Sequence, residues 1–361
     1  MFYYLSTLSE FFPQLNLFRY ITFRAAAASV TSFFLCMILG PIIIAKLKER
    51  KICDDNERDH CDNLSKLHLS KKETPTMGGV FIISSILISV ALWANLTNFY
   101  IILTIVTCLW LFVLGLIDDT LKLKQSAHRG LNAWTKLSWQ VLLGLVIGYF
   151  VFAYPNFSTR LDIPFFKNLI FHLGAFYIIF AAIIIAGSSN AVNFTDGLDG
   201  LAVGCVLIVA FGLSILSYIS GHMQFAEYLF LPYISGAGEL TVFCAAIFGA
   251  GLGFLWFNCY PASIFMGDVG SLPLGGTLGV IAIFIKKEFL LVLLGGVFVW
   301  EVLSVILQVG SFKLRGKRIF KCAPFHHHLQ LIGWEESKVT IRLWIIAIIL
   351  ALLTLATLKV R

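Results

Sequence analysis

Ten apolar stretches divide this chain, and each has about the 20 residues that an α-helix needs to cross a bilayer. Because 58% of the residues are hydrophobic and only 13% are charged, the chain has too few polar side chains to cover a soluble fold of 361 residues. The sequence therefore predicts an all-α membrane protein, with residues 1–361 forming one transmembrane domain. The predicted spans centre on 24–46, 77–96, 99–117, 134–154, 169–188, 200–219, 238–257, 263–284, 289–310 and 340–358.

Composition argues against several other classes of protein. The net charge of +7 is modest, and no long basic run with interleaved aromatic residues indicates a nucleic-acid-binding surface. The first apolar stretch is too long for the core of a signal peptide, so we expect a retained helix. The eight cysteines include no Cys-x-x-Cys pair. Cys53, His60, Cys61 and His68 share one polar loop, but their spacing matches no established zinc pattern.

The distribution of Lys and Arg predicts the orientation of the chain in the membrane. Of the 27 basic residues, 19 fall on the side that holds the loops after the first, third and ninth spans, and eight fall on the other side. Since basic loops stay in the cytoplasm, we expect the first side to be cytoplasmic and both termini to lie on the opposite face.

Five carboxylates fall on this same basic side, although the orientation was assigned without them. They are Asp118 and Asp119 at the end of the third span, Asp196 and Asp199 before the sixth, and Asp268 at the start of the eighth. A carboxylate at a membrane boundary is costly to desolvate and usually marks function or pairing. Glu301 differs from these five because it lies inside the ninth span. Acids from three separate loops on one face predict a cluster.

The segment around Asp118 and Asp119 has two interpretations. Lys122 lies four residues after Asp118, so the pair could simply form a salt bridge at a helix end. Alternatively, the two acids hold Mg²⁺, which binds few protein carboxylates together with water and phosphate oxygens, while Lys122 contacts a phosphate.

The segment Asn190–Gly200 places polar side chains three residues apart. On a continuous helix they would form a rough stripe, consisting of Asn190, Asn193, Asp196 and Asp199. Helix capping by Asn or Asp is the alternative, although capping explains one acid and not four aligned polar groups.

Two further loops on the same side carry candidate residues. Asn258 begins a segment that runs to Ser271, in which Gly267 and Gly270 flank Asp268, a candidate second metal ligand. Irregular backbone between two spans is tolerated where it lines a wet cavity. The loop at Lys71 and Thr76 precedes a helix, and a helix N-terminus beside lysines is a natural phosphate site. Plain positive-inside charge is the alternative reading of its lysines.

Three consecutive histidines, His326 to His328, follow Pro324 and Phe325. Histidine can bind metal or transfer protons near neutral pH. A solvated His-rich loop is the alternative, but this run falls on the side that carries the acids. Clustered Asp, Lys, Asn and His on one membrane face suit Mg²⁺-dependent phosphoryl transfer in which one substrate is a lipid.

Five motifs, in order along essentially the whole chain, resemble the phospho-N-acetylmuramoyl-pentapeptide transferase family. The Asp motifs alone also fit the wider superfamily of polyprenyl-phosphate N-acetylhexosamine-1-phosphate transferases, and the His triplet points to the muramoyl-pentapeptide branch. The motifs are Thr74-Pro-Thr-Met-Gly-Gly79, Asp118-Asp119-x-x-Lys122, Asn190-Ala-Val-Asn-Phe-Thr-Asp-Gly-Leu-Asp-Gly200, Phe265-Met-Gly-Asp268 and Pro324-Phe-His-His-His328.

The resemblance implies a reaction, a cofactor and partners. Phospho-MurNAc-pentapeptide would pass from UDP-MurNAc-pentapeptide to undecaprenyl phosphate with Mg²⁺, giving lipid I and UMP, in a homodimer of the bacterial inner membrane. Asp268 would contact Mg²⁺, and Asp118 would be its partner ligand or the base, with Asp119 beside it. Asn258 and His326 would lie at the diphosphate. The remaining substrate contacts would be Lys71, Thr76, Lys122, Lys136, Asn190, Asn193, Asp196, Asp199, Phe265, His327 and His328.

The sequence departs from the family pattern in the first basic loop and after the His triplet. Glu73 stands where Gly usually precedes Thr-Pro-Thr, Gln330 stands where Glu is usual, and the loop 53–66 lacks the expected Gly-Pro. These departures leave the catalytic set intact.

Three alternative functions are a UDP-GlcNAc transferase of the same superfamily, a membrane prenyltransferase, and a transporter. A transporter would carry its acids near the bilayer midplane, whereas these acids lie at one surface.

Overall fold

The computed structural model describes residues 1–50, 52, 74–124, 130–154, 157–162 and 170–359. Their secondary structure is almost entirely helical. The α-helices are α1 (Ile21–Glu49), α2 (Gly79–Trp93), α3 (Phe99–Lys124), α4 (Ala133–Ala153), α5 (Phe176–Thr195), α6 (Leu201–Ser220), α7 (Met223–Tyr228), α8 (Leu240–Asn258), α9 (Asp268–Phe284), α10 (Glu288–Leu294), α11 (Gly296–Arg315), α12 (Phe325–Leu331) and α13 (Glu336–Ala356).

The remaining regular elements are short. Strands β1 (Arg160–Asp162) and β2 (Ile170–His172) pair antiparallel, with Leu161 opposite Phe171. Short 3₁₀ helices cover Phe2–Glu10, Pro13–Arg19, Ala237–Glu239 and Thr357–Lys359.

The prediction of an all-α polytopic membrane protein is confirmed. Among the described residues, eight helices are long and apolar enough to cross a membrane, and α2 and α9 are shorter apolar helices of 15 and 17 residues. Together these ten helices account for the ten predicted spans.

The fifth and ninth predicted spans differ most from the observed helices. The fifth was expected at 169–188, but the helix is Phe176–Thr195, because residues 170–172 belong to β2. The ninth, expected at 289–310, is divided into α10 and α11 at Gly295. Two consecutive glycines, Gly295 and Gly296, explain the break, since glycine is the weakest helix former apart from proline.

Helix α9 forms the centre of the bundle. All 17 of its residues are buried, and it packs against α3, α5 and α2. A helix that is apolar on every side is expected in such a fully enclosed position. Glycine allows the closest approach. A Cβ atom on Gly115 of α3 would lie 2.3 Å from the carbonyl oxygen of Asp268. The C-terminal part of α3 therefore lies directly against the first residue of α9.

A buried ion pair fixes the opposite end of the bundle. Arg24 of α1 is 1% exposed, and its guanidinium donates to both carboxylate oxygens of Glu239, at 2.7 and 2.5 Å. The backbone N–H of Asn95, between α2 and α3, donates to the same carboxylate at 3.1 Å. This bidentate geometry, with an added hydrogen bond, is the arrangement in which a buried pair best recovers its desolvation cost. It ties α1 to the α2–α3 connection.

Candidate active site

Three buried carboxylates meet where α3 ends and α9 begins. Asp118 and Asp119 lie in the last two turns of α3, and Asp268 is the first residue of α9. One oxygen from each lies within 4.8 Å of the others, close enough to share a metal ion. The predicted clustering is confirmed for these three acids, whereas Asp196 and Asp199 do not belong to this group among the described residues. Oxygen donors in this number suit a hard divalent cation, which takes its remaining ligands from water or phosphate.

Two lysines neutralise most of this negative charge. Nζ of Lys122 lies 2.8 Å from Asp118, 3.1 Å from Asp119 and 3.0 Å from Asp268. Nζ of Lys136, on α4, lies 3.0 Å from Asp118 and 2.5 Å from Asp268. Lys122 therefore does form the i,i+4 salt bridge considered from its spacing, but it also bridges to a second helix. Three carboxylates and two ammonium groups leave one formal negative charge, which favours a bound cation.

Backbone amides orient the carboxylates. The N–H of Leu131 donates to Oδ1 of Asp118 at 2.7 Å, and the N–H of Val269 donates to Oδ2 of Asp119 at 3.1 Å. Gly267 has a φ of 72°, and a Cβ there would lie 2.6 Å from Oδ2 of Asp119. A side chain at this position would be strained and would also displace the carboxylate, so glycine is required.

The segment before α2 is fixed beside α9 by backbone hydrogen bonds. Phe265 N–H donates to the carbonyl oxygen of Pro75 at 2.8 Å, and Gly78 N–H donates to that of Phe265 at 2.8 Å. Thr76 consequently lies next to Gly267, because a Cβ atom added to Gly267 would be 3.3 Å from Oγ1 of Thr76. Two predicted substrate-binding residues, Thr76 and Phe265, are thus brought to the edge of the cluster.

The prediction of a continuous polar stripe over Asn190–Asp199 is wrong. Helix α5 ends at Thr195, Asp196 is its C-cap, and Asp199 lies in the turn before α6. Gly197 and Gly200 end the helical path, and Gly200 adopts a left-handed φ of 73°. Only Asn190 and Asn193 remain on one helix.

Those two asparagines have separate partners. Asn193 Oδ1 accepts from the hydroxyl of Ser271 at 3.2 Å, one turn after Asp268 on α9. The side chain of Asn190 donates to Gln140 at 2.6 Å, one turn after Lys136 on α4. Both asparagines are therefore linked to helices that carry cluster residues.

Asp199 and Asn258 stabilise the loop between α8 and α9. Oδ2 of Asp199 accepts from the N–H of Ala262 at 3.0 Å. Asn258 accepts from the N–H of Gly200 at 3.1 Å and donates to the carbonyl oxygen of Ile264 at 2.8 Å. Both side chains are buried. These contacts hold the loop that leads to Phe265 and Asp268.

The histidine triplet begins α12, and its members point in different directions. His326 is fully buried, and its Nδ1 lies 3.1 Å from Oε2 of Glu301. Its Nε2 faces Gly197, where a Cβ would be 2.2 Å away. Nδ1 of His327 lies 3.1 Å from Oε1 of Gln330, the residue that stands where Glu is usual in the family. His328 accepts from the N–H of Lys321 at 3.2 Å, in the loop that precedes α12.

Sequence reasoning assigned no role in the site to three residues that support it, although Glu301 was noted as an acid within a span. Gln140 contacts Asn190, Ser271 contacts Asn193, and Glu301 contacts His326. Gln140 could have been found from its i+4 spacing to Lys136, which places both on one face of α4. Lys71 and the Cys53, His60, Cys61 and His68 group lie outside the described residues.

Comparison with known proteins agrees with this geometry. Residues 101–286 match the model of glycosyl transferase family 4, and residues 71–83 match signature 1 of phospho-N-acetylmuramoyl-pentapeptide transferase. Proteins of that name from Thermodesulfovibrio yellowstonii and Desulforapulum autotrophicum are 51% and 49% identical to the chain. The alignments cover 99% of both proteins in the first case and 100% in the second.

The chain belongs to the phospho-N-acetylmuramoyl-pentapeptide transferase family. The resemblance that the five motifs indicated is therefore confirmed. Membership also explains why the described acids converge at helix ends on one face, where a transferase with a lipid acceptor would need them. It agrees with a multi-pass protein of the bacterial inner membrane.

Removal of the Glu301 carboxylate tests its effect on the transferase activity of this family member. We expect Glu301→Ala to lower the activity about tenfold or more, because His326 loses the carboxylate that accepts from its backbone N–H at 3.4 Å and lies 3.1 Å from its Nδ1. Glu301→Gln is the matched control, since its amide oxygen can still accept from His326, and it should retain most of the activity. Equal loss in both variants would show that the charge, and not the hydrogen bond, is required. No loss in either would remove Glu301 from the site.

Proposed function

We propose that the chain transfers phospho-MurNAc-pentapeptide from UDP-MurNAc-pentapeptide to undecaprenyl phosphate, producing lipid I and UMP in peptidoglycan biosynthesis. The observation that carries the proposal is the buried group of three carboxylates and two lysines, in a chain about half identical to transferases of this name over their full length. The UDP-GlcNAc alternative lacks such support among these relatives.

We propose Mg²⁺ as the metal, held by Asp118 and Asp268. Mg²⁺ bound there would neutralise the diphosphate of the donor and stabilise the charge that develops during transfer. Oδ1 of Asp118 is already occupied by the Leu131 amide. Its Oδ2 contacts the ammonium groups of Lys122 at 2.8 Å and Lys136 at 3.0 Å, so a metal or a proton bound at Oδ2 would replace one of these contacts.

Lys122 and Lys136 supply fixed positive charge at the same oxygen, Oδ2, of Asp268. The Lys122 side chain is 40% exposed and that of Lys136 is 16% exposed, so Lys122 faces the opening of the site. An ammonium group has three N–H donors, which allows each lysine to keep a carboxylate contact while donating to a phosphate oxygen. Preorganised donors of this kind stabilise a phosphoryl-transfer transition state without reorganising during the reaction.

The bond changes follow from these positions. An oxygen of the undecaprenyl phosphate attacks the donor phosphorus that is bonded to MurNAc, and the bridging oxygen leaves with UMP. Any proton on the attacking phosphate passes to Asp118 in the direct mechanism. Attack by an Asp118 oxygen, followed by transfer to the lipid phosphate, is the alternative that the family resemblance leaves open.

The remaining predicted contacts surround this reaction centre. Phe265 is half-buried beside Thr76, and we propose that its ring stacks on the uracil. We assign the nucleotide side to Lys71, Asn193 and Asp199, the diphosphate to Asn258 and His326, and the rest of the cleft to Asn190, Asp196, His327 and His328. The homodimer implied by the family resemblance stays a prediction.

Release of UMP by the purified chain tests the proposed function. The assay contains detergent, undecaprenyl phosphate and Mg²⁺, and it compares UDP-MurNAc-pentapeptide with UDP-GlcNAc. We expect UMP from the muramoyl donor only, and loss of UMP with EDTA. Release of UMP from UDP-GlcNAc alone would assign the chain to the UDP-GlcNAc transferases of the same superfamily. The absence of UMP with either donor would contradict the proposal.

The same assay tests the orientation proposed from the basic loops. Inverted membrane vesicles should consume externally added donor, whereas sealed spheroplasts should not, because the carboxylate cluster faces the cytoplasm. Consumption by intact spheroplasts would show that the orientation is reversed.

Substitutions in the cluster test the roles of individual residues. We expect Asp118→Asn, Asp268→Asn and His326→Ala each to lower UMP release by a factor of about 100 or more, which is the scale of general acid–base and electrostatic contributions. The folded protein should persist, as judged by gel filtration in detergent. Near-normal turnover in any variant would remove that residue from the reaction centre.

A matched control tests whether the loss of one negative charge on this membrane face is enough to lower UMP release. Glu335 is exposed at the N-cap of α13, on the same membrane face. Glu335→Gln removes one negative charge without touching the described cluster, so it should leave UMP release unchanged. A comparable loss in this control would attribute the effects to net surface charge.

A further inference from the structure

A second group of buried charges lies at the other end of α9. Asp162, Lys286, Lys287 and Glu288 are each less than 10% exposed. Because α9 has 17 residues, this group is about 24 Å from Asp268 along the helix. It therefore belongs to the opposite membrane face and takes no part in the transfer.

These groups are joined by direct contacts. The Tyr177 hydroxyl donates to Glu288 and accepts from Nζ of Lys286 at 2.8 Å. Nζ of Lys287 lies 4.0 Å from Asp162, which also accepts from Arg160 at 2.6 Å. Burying several charges is costly and seldom gains stability over apolar residues of similar size. Their retention here indicates a role beyond packing.

A cavity of about 240 Å³ opens beside this group. Lys286 and Arg160 form its polar side, together with Asp162 and Ser158. Its apolar side consists of Phe157, Phe284 and Tyr100, whose ring centroids lie 5.0 to 5.7 Å apart. A second cavity of about 310 Å³ adjoins it and shares Tyr100, Phe157 and Ser235. The combined cleft thus has a cationic end and an aromatic end.

The backbone at Lys286 is unusual for this residue type. Its φ is 56°, in the left-handed region that residues other than Gly, Asn and Asp rarely adopt. Burial lowers the pKa of Lys286 to about 8, although Glu288 acts in the opposite direction. A bound anion would offset this desolvation cost by favouring the charged ammonium. Strained, desolvated positions of this kind are more common at binding sites than elsewhere.

Charge and position select the class of ligand. Among the described residues of this group, Arg160, Lys286 and Lys287 carry three positive charges against two negative charges on Asp162 and Glu288. The cleft lies where α3 begins and α9 ends, at the level where aromatic and basic side chains meet lipid headgroups.

We propose that this cleft binds an anionic phospholipid of the outer leaflet. The phosphate accepts hydrogen bonds from Lys286 and Arg160, and the glycerol and the first acyl carbons contact Phe157, Phe284 and Tyr100.

Native mass spectrometry of the full-length protein in detergent tests this proposal. The probes are phosphatidylglycerol, phosphatidylcholine with identical acyl chains, and glycerol phosphate. We expect phosphatidylglycerol to bind about tenfold more tightly than either other probe. Lys286→Gln should weaken it about tenfold, the effect of one lost charge-assisted hydrogen bond. Arg19→Gln is the matched control, because Arg19 is an exposed cation on the same face, and binding should be unchanged.

A second variant does not depend on a buried charge. Ser235 lies in an exposed turn and lines both cavities, so Ser235→Phe should fill the cleft and weaken phosphatidylglycerol binding while UMP release persists. Unchanged binding in Ser235→Phe would overturn the proposal, even if Lys286→Gln fails to fold. Equal affinity for phosphatidylcholine would overturn the selection for an anionic lipid. Glycerol phosphate binding as tightly as the lipid would reassign the cleft to a soluble phosphate.

Discussion

The close contact between α3 and α9 is the interaction on which the carboxylate site depends. The two helices run antiparallel, and Gly115 lets their backbones approach where α3 ends and α9 begins. Small residues allow this approach in a membrane, where apolar side chains alone give little reason for helices to associate. Without it, Asp268 would not lie beside Asp118 and Asp119, and neither lysine could bridge the two helices.

The packing of α9 also brings charged side chains together at both of its ends, and the balance of charge differs between them. At one end, Lys122 and Lys136 compensate three carboxylates incompletely, which leaves charge available for a metal and a diphosphate. At the other end, cations exceed anions beside an aromatic cleft. Buried charges are costly in both places, so each group is held by hydrogen bonds from backbone or side chains. A single helix therefore organises a reaction centre and, in our proposal, a lipid site on the opposite face.

Much of the fold and part of the site followed from sequence because their signals are local. Hydropathy predicted the ten apolar helices, and carboxylates at helix ends predicted the meeting of Asp118, Asp119 and Asp268. The start of the fifth predicted span was wrong because Ile170 and Phe171 of β2 are apolar, and hydropathy alone does not distinguish them from the helix that follows. The polar stripe was wrong because the residues after Thr195 follow a turn, and a spacing of three carries its meaning only on a continuous helix.

Other features depend on contacts that no local pattern contains. Glu301 was recognised as an unusual acid within a span, but its pairing with His326, 25 residues later, depends on how α12 packs against α11. Asn258 and Asp199 are predicted at the substrate, and their described contacts also hold the loop that leads to Asp268. Such positioning roles become visible only when the helices are assembled.

Anomalous scattering from Mn²⁺, used in place of Mg²⁺ in crystals of the full-length protein, tests the central claim most directly. We expect one strong peak within direct coordination distance of Asp118 and Asp268 in the wild-type protein. The peak should be absent in Asp268→Asn and unchanged in Glu335→Gln. A peak at another site, or a peak that persists in Asp268→Asn, would contradict the account of these carboxylates as the metal centre.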